Sequence, residues 1–169
     1  PLLMVFAFGA ALNRLSTQGA TLMFYAFAAA MGASLSSIFL RYTDASIVTT
    51  FLATAGGFAA LSLYGYTTKR DLTAMGRFLI IGLVGLIIAM IVNIFVGSGA
   101  VAFAISTIGV LIFAGLTAYD TQRIKNTYLE LAASNSDFIG KSAIMGALTL
   151  YLDFLNLFTF LLSFMGQQE

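Results

Sequence analysis

The chain contains no cysteine and no histidine, and only one proline in 169 residues. Without cysteine there is no disulfide and no thiolate metal site, and the redox compartment leaves no trace in the sequence. Without histidine, a response to pH in the physiological range must come from carboxylates or another perturbed group. Charge is scarce as well. Asp, Glu, Lys and Arg make up 9% of the residues, against about 25% in an ordinary soluble domain. The formal net charge is +1, and with no basic tract nothing points to nucleic acid. What is abundant is apolar. Hydrophobic residues make up 60% of the chain and the mean hydropathy is +0.97. Such a chain cannot cover a water-facing surface, so its partner is the lipid bilayer. Long apolar runs with a single proline read as helices rather than as the alternating strands of a barrel. The expected class is all-α: a polytopic helical membrane protein, one domain over residues 1–169.

Six apolar segments stand out: Pro1–Leu12, Gly19–Leu40, Ala45–Tyr66, Phe78–Val96, Ala100–Tyr119 and Ala143–Met165. A span needs about 20 apolar residues, which the last five supply. The first is too short, and it begins at proline, so it reads as the remaining end of a truncated span. It is not a signal peptide, because it lacks a basic leading region and further spans follow directly. Basic residues fall in alternate connections: Arg14 in one, Lys69, Arg70 and Arg77 in the next, and Arg123, Lys125 and Lys141 in the third. The other connections, Arg41 to Asp44 and Gly97-Ser98-Gly99, are balanced or uncharged. The basic ones are expected to face the cytoplasm. The C-terminus then emerges on the opposite side.

Two aspartates interrupt the apolar pattern. Asp120 closes the fifth segment, and Asp153 lies within the sixth. A carboxylate at membrane depth costs about 2.5–3.5 kcal/mol even on the lenient insertion scale, so it seldom sits there without a role. Ser134-Asn135-Ser136-Asp137 is the clearest turn signal of this half. Asp120 lies 14 residues before Ser134, and Asp153 lies 16 residues after Asp137. If both arms are helical down to the turn, each carboxylate stands about 21–24 Å from it, and an antiparallel pair would bring the two face to face. Gly146, Thr149, Asp153, Asn156 and Ser163 share one helix face, and Thr117 sits one turn before Asp120. Such a stripe either lines a watered path or bonds backbone and neighbouring helices as packing glue. Thr117, Thr149 and Asn156 are the candidate lining residues.

Small residues at Ala28-Ala29-Ala30, Gly32-Ala33-Ser34, Gly56-Gly57, Gly82 with Gly85, and Gly109 with Gly115 read as close helix packing. Asn93 reads as an interhelical hydrogen bond. Tyr42, Tyr64, Tyr66 and Tyr119 near span ends fit interfacial anchoring.

The stretch Leu148-Thr-Leu-Tyr-Leu-Asp-Phe-Leu-Asn-Leu-Phe158 resembles the last-helix signature of the Bax-inhibitor family of membrane proteins. Ala118-Tyr-Asp-Thr-Gln-Arg-Ile-Lys125 resembles the end of that family's preceding helix. Phe24-Tyr-Ala-Phe27, after Arg14, also fits, and the span pattern agrees along the whole chain. The resemblance implies a seven-helix bundle with the C-terminal helix central. By that pattern, the first helix and part of the second are missing from this chain. It also implies a pH-gated, calcium-permeable leak whose paired-aspartate sensor is Asp120 and Asp153, with Arg14 as the gating partner. It is further associated with restraint of cell death in eukaryotic members. The short loops look bacterial, which implies the inner membrane. A eukaryotic member would sit in the endoplasmic reticulum.

The chemistry is compatible with a gate. Two carboxylates held together titrate as a coupled unit. A shared proton would lock the two helices, and its loss would draw in water or a cation. Calcium takes six to eight oxygen ligands. Asp120 and Asp153 with Asn156 and Thr149 therefore make only a weak, transient site, which suits a permeant ion. No cofactor is expected, and the reading is not that of an enzyme. Three alternatives stay open. A proton-coupled cation exchanger would need an opposing proton gradient. An intramembrane aspartyl protease would share the Tyr119-Asp120 pair, but Leu150-Tyr151-Leu152-Asp153 lacks that group's glycines. A scaffold would use the acids only to hold helices together.

Overall fold

The computed structural model describes residues 2–11, 14–134 and 138–168. The order is α1 (Leu2–Ala11), α2 (Thr17–Leu35), a short 3-10 turn (Ser36–Leu40), α3 (Asp44–Thr67), α4 (Thr73–Val96), α5 (Gly99–Ala133) and α6 (Ile139–Met165). Five of these helical stretches, α2 with its 3-10 turn and α3 to α6, are long and apolar enough to cross a membrane. No strand occurs among the described residues. Asn135, Ser136 and Asp137 of the expected turn lie outside the described residues, as does Leu12.

The helix ends follow from capping chemistry. Ser16, Thr43 and Ser98 each accept a hydrogen bond on the hydroxyl from the backbone N–H three residues on, satisfying a donor the first turn leaves open. Gly97 ends α4 at φ 64°, the left-handed conformation that glycine adopts without penalty. Asn93 closes the same corner, its Oδ1 accepting from Ser98 N at 3.1 Å. It is a turn clamp rather than the interhelical bond expected. The span over Gly19–Leu40 is not one α-helix. The Ser36 and Ser37 hydroxyls donate back to the Ala33 and Ser34 carbonyls at 2.7 and 3.4 Å, competing with the α-helical ladder just where it tightens to 3-10.

Parts of two expected connections are helical. Arg77 lies in the second turn of α4, and Arg123 and Lys125 lie on α5, which runs on to Ala133. The residues after Tyr119 include Gln, Arg, Lys, Leu, Glu and Ala, all good helix formers, so the helix outlasts its apolar run. Lys141 likewise sits in the first turn of α6.

α5 and α6 pack antiparallel along most of their length. Phe103 stacks on Phe164 at 5.1 Å and Phe113 on Phe160 at 5.8 Å, and Gly146 lies against Ile124. The main core cluster joins Leu86 of α4, Ile105, Ile112, Phe113 and Leu116 of α5, and Leu157 of α6. Much of the remaining surface is apolar. Leu22, Phe78, Ile81, Ile94 and Phe95 are all largely exposed, as expected where lipid is the solvent. Association in lipid rests on close packing at small residues. Here Gly109 meets Phe160 and Gly115 meets Leu79, with a Cβ at either falling 2.7 and 2.5 Å from the neighbour. Gly32, Gly56, Gly57 and Gly85 have nothing within 4 Å, so the packing role expected for them is not seen.

The two ends of the bundle differ in charge. Thr17 touches the start of α6 at Gly140, and Lys125 reaches the end of α3 at Tyr66. Arg14, Lys69, Arg70, Arg77, Arg123, Lys125 and Lys141 therefore gather toward one end. At the other end Thr43 N donates to Gln167 O at 3.1 Å and Gln167 N to Ser46 Oγ at 2.9 Å. Tyr42 is buried there with Ile47, Phe158 and Leu162, a core residue rather than an interfacial anchor. Tyr64 and Tyr66 remain exposed.

Candidate functional site

Asp120 and Asp153 are both buried, at 6% and 5% exposure. Antiparallel packing of α5 on α6 brings their carboxyl groups within hydrogen-bonding reach of each other. Such a bond requires that one of the two carries a proton to donate. Asp153 Oδ2 is buried and has no hydrogen-bond partner among the described residues. One guanidinium attends the pair: Arg123, one turn on from Asp120, lies 3.7 Å from Asp120 Oδ1 with its side chain 53% exposed. It also lies over the Tyr119 ring, 5.8 Å from the centroid.

The pair does not lie at the middle of the bundle. Gly76, in the first turn of α4, packs on the Tyr119 ring, and Gly65, near the end of α3, packs on the Ala118 backbone. The acids therefore stand about one turn inside the basic ends of α3 and α4. From Asp120, α5 continues about 20 Å beyond, at 1.5 Å per residue.

That part of α5 is fixed from several directions. A Cβ at Gly65 would strike the Ala118 carbonyl, and one at Gly76 would strike the Tyr119 ring. Gln122 is buried and bridges the α3–α4 connection. Its Oε1 accepts from Leu72 N at 2.9 Å and its Nε2 donates to Arg70 O at 2.8 Å. Lys125 Nζ donates to Tyr66 O at 2.7 Å and stands 4.9 Å from the Tyr66 ring centroid. Sequence reasoning missed Gly65, Gly76 and Gln122. The signal for Gln122 was present: a neutral amide two residues from Asp120 needs buried partners as much as the acid does.

The three polar candidates all turn to their own helix. Thr117 Oγ1 donates to Phe113 O at 2.7 Å, Thr149 Oγ1 to Met145 O at 2.9 Å, and Asn156 Nδ2 to Leu152 O at 2.8 Å. Thr117 is fully buried. Thr149 and Asn156, with Asp120, Asp153 and Arg123, line a cavity of about 710 Å³ between α4, α5 and α6. It meets a second cavity of about 690 Å³ at the opposite end, which Arg41 also lines, sharing Met90, Ile94 and Phe160. Toward the basic end it meets a third of about 280 Å³, sharing Arg123 and Thr149. Ser163 faces the second cavity, apart from the acids.

Arg14 is not brought to the pair. It is exposed just before α2, near the start of α6, and Asp153 lies 13 residues along that helix from Gly140, a rise of about 20 Å. The ion pair assigned to it is made by Arg123 instead. Among the described residues no group of three or more His, Cys, Asp or Glu is placed to hold a metal. Outside the spans, the carboxylate of Asp71 accepts from Thr73 Oγ1 at 2.6 Å and Thr73 N at 2.9 Å. The hydroxyl bond above all, then the amide bond, holds Asp71 below its ordinary carboxylate range.

A protein of Caulobacter vibrioides with no assigned function is 48% identical over 166 residues, covering 98% of this chain and 66% of its own length. The inner membrane protein YbhL of Escherichia coli is 47% identical over 168 residues, covering 99% of this chain and 72% of that protein. A protein of Borreliella burgdorferi is 48% identical over 166 residues, 98% of this chain and 71% of its own. The chain thus spans about two thirds of the length of the Caulobacter relative. Residues 1–169 match the family described as inhibitor of apoptosis-promoting Bax1. With five helices able to span a bilayer and a match along its whole length, the chain belongs to the Bax-inhibitor family of membrane proteins.

Proposed function

We propose that this protein is a calcium-permeable leak of the bacterial inner membrane, gated by protonation of the Asp120–Asp153 pair. One observation carries the reading: two buried acids face each other in a cavity that abuts further cavities toward both ends of the bundle. In this reading, α6 is the central helix of a seven-helix bundle. It packs against α2, α3 and α5, as many helices as α5 does in α3, α4 and α6. The inner membrane is supported by the name of the Escherichia coli relative.

The gate follows from the charge balance. With one shared proton, the acids hold α5 to α6. When the proton leaves, two negative charges repel across the interface, and water or a cation must enter to offset them. Asp153 Oδ2, buried and without a hydrogen-bond partner among the described residues, is an acceptor that such a cation or water would satisfy. Arg123 competes for Asp120. Two carboxylates supply too few oxygens for tight calcium binding, so the ion keeps several waters and leaves readily.

A second reading has a specific observation behind it. Thr117, Thr149 and Asn156 all bond their own backbone, as packing residues would, and this favours a scaffold. Calcium entry into proteoliposomes separates the two, measured across pH for the wild type, Asp120→Asn and Asp153→Asn. A leak runs down its own gradient, responds to pH, and loses that response in either variant. Flux that requires an opposing proton gradient would point to an exchanger. Folded protein with no flux at any pH would sink the leak and leave the scaffold.

A further inference from the structure

A cavity of about 340 Å³ opens beneath the end of α3, between the lower part of α5 and the first half of α6. It shares no residue with the acid-lined cavity, and shares Ile124 and Ser142 with the cavity of about 280 Å³ that lies between them. Its volume falls in the range of small-molecule sites. Most of its wall is apolar, with Ile124 and Leu129 from α5 and Ile139 and Leu150 from α6. Lys125 and Tyr66 also line it. Lys125 is not a free surface charge. Its ammonium is held by the Tyr66 carbonyl and lies beside the Tyr66 ring. An ammonium has three donors, so others remain for a ligand. Tyr66 and Tyr128 are more than half exposed, which is how tyrosines sit at the headgroup level.

From this arrangement we infer that the cavity is a binding site for an anionic phospholipid. Its phosphate meets Lys125, and its acyl chain runs from there along Ile124 and Leu150, while Leu129 and Ile139 wall the outer end of the cavity. Charge selects this occupant. The cavity lies at the end of the bundle where Lys69, Arg70, Arg123, Lys125 and Lys141 collect, opposed among the described residues by Asp71, Glu130 and the Asp120–Asp153 pair that Arg123 attends. Basic pockets between helices at a membrane face recognise anionic headgroups, and each basic residue near such a surface contributes about 1 kcal/mol. A zwitterionic lipid gains the apolar wall but not the charge. A further protein helix gains the wall but leaves the ammonium without a counter-ion.

Native mass spectrometry of the purified protein with added phosphatidylglycerol or phosphatidylcholine tests this. The wild type is expected to retain phosphatidylglycerol in preference to phosphatidylcholine. Lys125→Gln should weaken phosphatidylglycerol retention about fivefold. Lys69→Gln, which removes the same charge from the exposed α3–α4 connection, should leave it within about twofold. Because Lys125 also binds the Tyr66 carbonyl, a second variant keeps the test open if Lys125→Gln fails to fold. Ala143→Trp fills the cavity from α6 with every charge intact, and should displace the lipid. Equal losses in Lys125→Gln and Lys69→Gln would mean diffuse attraction and overturn the site. Retention undiminished in Ala143→Trp, or no lipid preference in the wild type, would overturn it as well.

Discussion

Gly65→Ala isolates the contact that seats α3 on α5 beside the acid pair. The new methyl would point at the Ala118 carbonyl oxygen, a backbone atom with no rotamer to move it aside. Carbon and carbonyl oxygen settle at about 3.3–3.6 Å, so α3 must withdraw by about 1.2–1.5 Å. Overpacking of this kind costs about 1–3 kcal/mol. Alanine's better helix propensity returns about 1 kcal/mol in any helix interior. Gly57→Ala on the same helix supplies the control, because nothing lies within 4 Å of its Cβ. It should be neutral or slightly stabilising. The two variants should therefore differ by about 1–3 kcal/mol, with Gly65→Ala the weaker. Thermal unfolding of both in one detergent reads that difference directly. If Gly65→Ala melts with Gly57→Ala, α3 does not seat on α5 through this glycine, and the argument for a fixed α5 fails.

Gln122→Ala leaves Leu72 N and Arg70 O without their partners, which should cost about 1–3 kcal/mol. Amide exchange at Leu72 should speed up, and unchanged exchange would refute the bridge. Asp71 lies below its ordinary carboxylate range through the Thr73 hydroxyl and amide, so its contribution is complete above the unfolded value of about 3.9. That contribution is lost as pH falls through the depressed value. The stability difference between wild type and Asp71→Asn should then shrink on acidification, and a difference constant down to about pH 2 would contradict it. The acid pair stands about one turn inside the basic ends of α3 and α4, so in the proposed leak protons reach it from that side. In oriented vesicles, pH at the basic face should control calcium flux, and control from the opposite face alone would refute that route.

The span pattern was legible because lipid imposes it. Every backbone group must be satisfied within the segment, so an apolar run long enough to cross becomes a helix. Helix ends were less legible. The continuation of α5 through Arg123, Lys125 and Glu130 to Ala133 cannot be read from apolarity, because that part leaves the run that marks the membrane. The juxtaposition of Asp120 with Asp153 was expected from similar offsets, 14 and 16 residues, around one turn. The depth of the pair did not, since Gly65 and Gly76 set it through contacts far apart in the sequence. Arg14 was assigned to the acids by resemblance, yet Arg123 was already one turn from Asp120 in the same helix. An i,i+3 cation needs no tertiary arrangement to reach its acid, and that local geometry prevails here.

The distribution of tight contacts bears on how such a pair could act. On its α3 and α4 sides, α5 is held at Ala118, Tyr119, Gln122 and Lys125 by two glycine contacts, a side-chain amide bridging two backbone groups, and an ammonium on a carbonyl. Asp120 lies inside this clamp. Asp153 comes from α6, and its Oδ2 has no protein partner among the described residues. The side of α6 that carries Asp153, with Thr149 and Asn156, borders the cavity, and Phe160 beyond them packs on Gly109 and Phe113. A change in charge on the pair therefore meets unequal resistance. Moving Asp120 means breaking backbone hydrogen bonds and parting helices at glycine contact. Moving Asp153, or admitting water beside it, means shifting a side chain into existing space. In the proposed leak, protonation is sensed jointly by the two acids, while the rearrangement falls on α6 and the cavity it lines.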